Sequence, residues 1–272
     1  MLSTFLIALR EGLEASLIVG IFVAYVVKTN RRQLLKPLWI GVGISILLSL
    51  AVGAVLSFTS AQLTDQSKQI FAGATSFAAV ALVTWMVFWM KRTARTLKNE
   101  LQGKVDKALL AGPLALALAA FFAVAREGLE TALFIYSNFQ AVAERAPVTI
   151  GLITGLASAV ALGYLIYSRS IKMNLGKFFM ITGVALIVIA AGVFSYGVHE
   201  FQEVGWLPGP DAFIWDVTHW IAPDSILAAL MGGTFGFDTT TSYLQFVIWG
   251  AYLAITLAIY LLPGRKAQKI SA

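Results

Sequence analysis

Arg10-Glu11-Gly12-Leu13-Glu14 breaks into an apolar run that reaches from residue 2 to residue 27. The same five residues return as Arg126-Glu127-Gly128-Leu129-Glu130 inside a second such run. At about 100° per residue, Arg10 and Glu14 lie about 40° apart on a helix, and Glu11 and Glu14 about 60°. The three charges of one copy therefore share an arc of about 100°. An ionised side chain at the centre of a lipid-facing helix costs about 2.5–3.5 kcal/mol on insertion scales. Three of them would cancel the transfer gain of the surrounding Leu, Ile and Val. The charged arc must face protein, water or a bound ion.

The rest of the chain says that its solvent is lipid. Of 272 residues, 58% are hydrophobic and 12% charged, and the mean hydropathy is +0.80. Soluble domains carry about 25% charged residues. With no cysteine there is no disulfide and no thiolate ligand for a soft metal. Met1 to Leu9 lacks the basic region of a cleavable signal peptide, and Arg10 cuts its apolar run short, so this stretch is expected to stay as the start of a helix. A net charge of +6 raises the question of nucleic acid, but the placement of the charges answers it in the negative.

Seven runs are long enough for a hydrocarbon layer of about 30 Å: 2–27, 38–60, 70–90, 112–138, 148–168, 178–198 and 244–262. The basic residues cluster after the first, third, fifth and seventh: Lys28, Arg31, Arg32 and Lys36; Lys91, Arg92, Arg95, Lys98, Lys104 and Lys107; Arg169, Lys172 and Lys177; Arg265, Lys266 and Lys269. Only Lys68 and Arg145 fall on the other side. The positive-inside rule then puts the N-terminus outside and the C-terminus in the cytoplasm. Trp85, Trp89, Tyr25, Tyr167 and Tyr260 fall near cytoplasmic helix ends, where an aromatic belt is expected. Asp65, Glu144, Glu200, Glu203, Asp211, Asp216, Asp224 and Asp238 lie outside against Glu100 and Asp106 inside. Such an outer face would steer cations, although it is also the plain complement of the basic interior face.

The two copies of the phrase are 116 residues apart, each in the first span of a set of three, and an odd number of crossings separates them. They therefore run in opposite directions. The expected fold is an all-α polytopic membrane protein: seven spans, N-out and C-in, an inverted 3+3 repeat and a seventh helix. Its parts are a first three-helix repeat (1–110), a second, inverted one (111–198), an external acidic segment (199–243) and the seventh helix with its basic tail (244–272). Residues 199–243 are too many for a plain connector. Pro223-Asp224-Ser225 and Gly232-Gly233 bracket a short helix over Ile226 to Met231, which is expected at the outer interface or folded back over the mouth. In inverted repeats the substrate site lies near the midplane, at the repeat interface. Glu11 and Glu14 sit about 14–18 Å along the first span at 1.5 Å per residue, and Glu127 and Glu130 near the middle of the fourth.

Two such helices crossing would pool four glutamates and two arginines, a sum of −2. Arg10 with Glu14 and Arg126 with Glu130 stand at i,i+4 and can pair, leaving Glu11 and Glu127 to face a shared cavity. Carboxylates are hard ligands, suited to Mg, Ca, Mn or ferric iron. A lone Arg–Glu pair is often structural glue; the same five residues in both halves, in opposite orientations, point to a charged site. Gly12, opposite the charges, forms a small-residue strip with Ala8 and Ala15 for close helix packing. Thr84, Ser76, Thr182, Ser195 and Tyr196 offer further oxygens, with back-bonding to a carbonyl the role expected of each Ser or Thr. His199, Glu200 and Glu203 form an outer group, a candidate capture site or simply a solvated helix end, and His219 lies in the outer segment. There is no HExxH and no nucleophile pointing to an enzyme. A proton-coupled carrier of another hard cation such as manganese or of an organic solute, and a non-transporting metal sensor, are the alternatives.

The doubled Arg-Glu-x-x-Glu, with Phe121-Phe122-Ala123-Val124-Ala125 before the second copy and Thr84-Trp85-Met86-Val87-Phe88-Trp89-Met90 in the third span, resembles the oxidase-dependent iron permease family over essentially the whole chain, and most of all its bacterial EfeU-type branch. The resemblance implies uptake of iron, ferric after oxidation by an external partner, across the cytoplasmic (inner) membrane. It implies iron ligation by Glu11, Glu14, Glu127 and Glu130, with Arg10 and Arg126 as charge partners. Glu200-x-x-Glu203 is the candidate match to the family's outer acidic pair. Iron is then the substrate and no cofactor is expected. The partners are lipid and extracytoplasmic iron-oxidising or iron-delivering proteins. No oxidase signature or appended extracytoplasmic domain is seen, so any redox step is expected elsewhere.

Overall fold

The computed structural model describes residues 1–93, 96–140, 145–168, 174–222, 225, 228, 231 and 236–262. The short helix expected over 226–231, with Pro223, Asp224, Gly232 and Gly233, lies outside them except for Ser225, Ala228 and Met231. Arg95, Glu144, Arg169, Lys172, Arg265, Lys266 and Lys269 of the charge pattern lie outside them too. Each expected apolar run is a helix: α1 (Leu2–Lys28), α2 (Leu35–Gln62), α3 (Asp65–Thr93), α5 (Pro113–Gln140), α6 (Arg145–Tyr167), α7 (Leu175–Glu203) and α8 (Tyr243–Leu261). Local chemistry sets the ends. Asn174 caps α7 by accepting the amide of Lys177 at 3.1 Å, and Ser242 and Gln245 form a reciprocal capping box on α8.

One helix was not expected. Leu97–Ala111 is α4, in a stretch that reads as a basic loop. Leu101, Val105, Ala108 and Leu109 recur at helical spacing and are buried against Phe22 and Val26 of α1 and Leu116 and Ala120 of α5. The Tyr25 hydroxyl bonds to Asp106, and Arg31 Nη1 donates to the Leu109 carbonyl at 2.9 Å. Gly112, at φ +106°, ends the helix, and Pro113 opens α5, so a left-handed glycine and a helix-starting proline make the corner.

Among the described residues five helices are long and apolar enough to cross a membrane: α2, α3, α6, α7 and α8. α1 and α5, 27 and 28 residues long, are equally long but each carries the three charges of the motif. α3 and α7 are enclosed by neighbours far more than α2, α6 and α8, whose surfaces are mostly outward and apolar. The inner bundle is α1, α3, α5 and α7. α1 packs chiefly on α6, α5 chiefly on α2, and α3 on α7, while α1 and α5 cross each other in the middle.

Small residues permit these approaches. A Cβ on Gly12 would meet Ala159 Cβ at 2.8 Å, and one on Gly155 would meet Ala8 Cβ at 2.8 Å. Further along the same parallel pair, Gly151 faces the Met1 carbonyl and Gly163 faces Ser16 Cβ at 2.5 Å. α2 and α5 repeat the pattern: Gly41 faces the Ala117 carbonyl and Gly128 faces Ser49. These contacts correspond. Gly128 lies 116 residues after Gly12 and Ala117 116 after Met1, while Ala159 lies 110 after Ser49 and Gly151 110 after Gly41. The expected Gly12 strip is thus a packing face for α6, except that Ala15 turns away to the α1–α4–α5 cluster. Tyr260 is also not a belt residue: it is 1% exposed, and its hydroxyl donates to the Phe179 carbonyl at 3.1 Å.

The segment after α7 carries a two-stranded antiparallel sheet, β1 (Phe213–Asp216) with β2 (Thr240–Ser242). Trp215 stacks on Phe237 and donates Nε1–H to the Asp238 carbonyl at 3.0 Å. Gly236, at φ +68°, lies against the backbone of Gly192, about 16 Å back along α7 from its last residue at 1.5 Å per residue. This part of the segment folds back into the bundle.

Gly41→Ala should lower the thermal midpoint of the detergent-solubilised protein, because the added methyl must push α2 off the Ala117 carbonyl. Gly43→Ala, where nothing lies within 4 Å, should leave it unchanged or raise it by the 0.5–1 kcal/mol or so that alanine gains over glycine in a helix. Equal midpoints for the two variants would refute the close-packing account.

Candidate functional site

Both copies of the five-residue motif face inward where α1 crosses α5. Arg10, Glu11 and Glu14 are 0, 1 and 2% exposed, and Glu127 and Glu130 are 3 and 6% exposed. Arg10 lies between its own two acids: Nη2 to Glu14 is 3.3 Å and Nη1 to Glu11 is 3.6 Å. Its guanidinium stands 5.9 Å from the centre of the Phe179 ring. Arg126 donates Nε–H to Glu130 at 3.0 Å, as the i,i+4 spacing predicts.

The two copies are not equivalent in their surroundings. Arg126 is 30% exposed along its side chain and lies over two indoles, 4.3 Å from Trp89 and 5.0 Å from Trp85. The sequence places both tryptophans in an aromatic belt, and Trp85 is 54% exposed. Their i,i+4 spacing puts both rings on one face of α3, and that face meets the second motif. Cation–π contact offsets part of the desolvation of Arg126. Only the tertiary packing shows which arginine they meet.

Across the helix crossing, one carboxylate oxygen from each of Glu11, Glu14 and Glu127 lies within 4.8 Å of the others, the single such group of three acids among the described residues. Glu130 stays with Arg126 and outside this trio. Among the described residues Glu11 Oε2, Glu127 Oε2 and Glu130 Oε2 are buried with neither a hydrogen bond nor an ion pair, while Glu11 Oε1 and Glu14 Oε1, also without a hydrogen bond, face Arg10. Buried polar groups are ordinarily hydrogen-bonded, and buried charges paired. Three converging carboxylates are a donor set that could hold a cation with hard oxygen preference.

Apolar clusters flank the site. One holds Ile7, Val80, Val83 and Phe134, with Leu186 and Ala190 of α7. The other holds Leu13, Leu17, Met90 and Phe179, with Leu13 inside the first motif.

The outer group is looser. His199 Nε2 and Glu203 are 4.0 Å apart at the surface, while Glu200 hydrogen-bonds to the Tyr196 hydroxyl, so the three side chains do not converge. Asp216 is engaged by the amide and hydroxyl of Thr218 at 3.0 and 2.6 Å, which holds its carboxyl below the usual aspartate range. Thr84 and Thr182 back-bond to Val80 and Phe178 at 2.6 and 2.9 Å, as expected. Ser76 does not: its hydroxyl is buried and unpartnered among the described residues.

A buried, twice-charged motif in two crossing helices defines a membrane protein that handles a cation, and comparison with known proteins names the class. The profile of the iron permease FTR1 family matches residues 1–266, and the chain belongs to that family. It is 37% identical over 270 residues to the ferrous iron permease EfeU of Escherichia coli O6:H1, covering 98% of both chains. It is 35% identical over 266 residues to the ferrous iron permease EfeU of Yersinia pestis, covering 96% of this chain and 94% of that one. No solved structure matches the chain.

Arg10→Met should destabilise the protein by several kcal/mol, about 3–5, because it leaves two enclosed carboxylates without a counter-charge. Arg126→Met should cost clearly less, since that side chain is partly exposed and lies over two indoles. Thermal unfolding in detergent measures both, and an equal loss would contradict the different burial of the two copies.

Proposed function

We propose that the chain imports iron across the cytoplasmic membrane through the carboxylates of Glu11, Glu14, Glu127 and Glu130, with Arg10 and Arg126 as their charge partners. The observation that carries this reading is the convergence of oxygens of Glu11, Glu14 and Glu127 within 4.8 Å, all three side chains buried. The names of the EfeU relatives support iron as the ion.

In this reading α1 and α5 cross the membrane with the other five long helices, seven in all, N-out and C-in. α4 lies on the cytoplasmic side. Residues 1–110 and 111–198 are the inverted repeats, 199–243 the external segment and 244–272 the seventh span and tail. The matched glycine contacts support the repeat: the pairing of α1 with α6 recurs in α5 with α2, and the two motifs cross antiparallel. The repeats exchange partners, so neither half packs mainly on itself. The inside-negative membrane potential supplies about 2.3 kcal/mol per charge per 100 mV, enough to drive cation entry without an ATPase.

The charge of the site favours the ferrous form. Four carboxylates against two guanidiniums leave two negative charges, which one divalent ion neutralises, and the relatives' name agrees. Ferric iron handed over by an external oxidase or iron-delivering protein, as the family resemblance implies, is the second reading. The all-oxygen donor set favours it, since ferric iron is the harder ion.

Radioiron uptake by proteoliposomes with an inside-negative potential tests the site. Glu127→Gln should reduce uptake to background while the protein still inserts, and normal uptake by that variant would remove the site. Uptake from ascorbate-reduced iron should exceed uptake from ferric citrate; the reverse order would select the ferric reading. Manganese in excess should compete weakly. Glu203→Ala should raise the half-saturating iron concentration with little change in maximal rate, if the outer group captures iron.

A further inference from the structure

The protein contains its own comparison: two identical charged pentads with different aromatic neighbours. In the first, Arg10 engages both of its acids, Nη1 with Glu11 at 3.6 Å and Nη2 with Glu14 at 3.3 Å. The ring nearest its guanidinium is Phe179, 5.9 Å away. In the second, Arg126 pairs with Glu130 at 3.0 Å and, among the described residues, forms no ion pair with Glu127. Yet Glu127 stands in the same i,i+1 relation to it as Glu11 does to Arg10. The guanidinium of Arg126 lies instead 4.3 Å from the ring centre of Trp89 and 5.0 Å from that of Trp85. Indole gives the strongest cation–π contact of the aromatic side chains. The two indoles are stacked, 6.5 Å apart and 25° from parallel. Trp89 also packs against the cluster of Leu13, Leu17, Met90 and Phe179, so its place does not depend on Arg126 alone. Glu127 contributes an oxygen to the group with Glu11 and Glu14.

We propose that Trp89, backed by Trp85, is a positioning residue for the iron site: its indole holds the Arg126 guanidinium toward Glu130 and so keeps Glu127 open to the ion. This rests on the carboxylate reading above. A guanidinium carries five donors in a planar fork and is suited to carboxylates, and Arg10 shows that in this pentad it can serve two of them at once. An arginine free to do the same in the second copy would draw Glu127 into an ion pair and compete with the incoming cation for its oxygens. The indole faces give the fork a favourable place that occupies no carboxylate. Trp85, 54% exposed, is the looser of the two rings and supports Trp89. The pentad fixes which charges are present, and the aromatic pair on α3 fixes which acid the second arginine leaves alone.

Trp89→Leu removes the indole face and keeps an apolar side chain. It should weaken equilibrium retention of radioiron by the detergent-solubilised protein about tenfold, or about 1.4 kcal/mol, within the range of a cation–π contact. The half-saturating iron concentration for uptake into proteoliposomes should rise by the same factor. Trp89→Phe, which keeps an aromatic face, should lose no more than about threefold. Arg126→Met should still retain iron, since it frees both acids of the second copy. On that background there is no guanidinium to place, and adding Trp89→Leu should change retention by less than about twofold. Retention by Trp89→Leu within twofold of the unaltered protein overturns the proposal, and so does an equal loss in Trp89→Phe. A loss of similar size on the Arg126→Met background also overturns it, because the indole would then act by packing alone. Glu127→Gln in parallel separates the two readings. If it still binds and carries iron, the carboxylate site fails and the proposal with it; if it loses both while Trp89→Leu changes nothing, the positioning role alone fails.

Discussion

Six charged side chains drawn together where α1 crosses α5, five of them buried and Arg126 partly so, are the constraint on which this architecture rests. An isolated ion in an apolar interior is prohibitively costly, and it persists only when paired and coordinated. Here two arginines partly compensate four glutamates, and the compensation works only if α1 and α5 meet at the level of the motifs. The glycine contacts of α1 on α6 and of α5 on α2 serve that end. They seat each motif helix so closely on an apolar neighbour that its charged arc is turned toward the other. Gly12 and Gly128 sit inside the motifs themselves, so one five-residue phrase supplies both the charges and the close contact that aims them.

The same phrase meets two environments. Around Arg10 the protein closes completely, and the guanidinium is shared between Glu11 and Glu14. Around Arg126 it opens, with Trp85 and Trp89 taking the place of a second acid. The consequence falls on the carboxylates: Glu130 is held by its own arginine, while Glu127 leans across to the first copy. A pseudosymmetric sequence thus yields an asymmetric trio of acids. An ion bound there would have different neighbours above and below, which suits a site that receives on one side and releases on the other.

The clusters beside the site also bear on movement. Apolar side chains pack against the motif helices on more than one side, and ion passage in the proposed role requires helices to shift. Inverted repeats provide two packings of similar energy for such shifts, reached by rocking one set of helices against the other. The exchanged pairing of α1 with α6 and α5 with α2 means that a rocking unit would combine helices from both halves.

Much of this was legible in the residues alone. Apolar run length gave all seven long helices to within a few residues of their ends, because a span has nowhere else to satisfy its backbone. The i,i+4 spacing of Arg and Glu foretold both ion pairs, and the repetition of the phrase singled out the acids. α4 escaped notice because its apolar positions are few and scattered among lysines, and they acquire meaning only against Phe22 and Leu116. The small sheet in the outer segment depends on a pairing between residues far apart along the chain, such as Trp215 with Thr241, 26 residues on, which no local pattern announces. Tyr260 was misplaced for a related reason: an aromatic near a helix end reads the same whether it faces lipid or a neighbouring helix. Periodicity and charge, being properties of one segment, are set by the sequence itself. Which arginine meets an indole, which acid is left free and which serine lacks a partner are properties of contacts between segments, and only the packed bundle decides them.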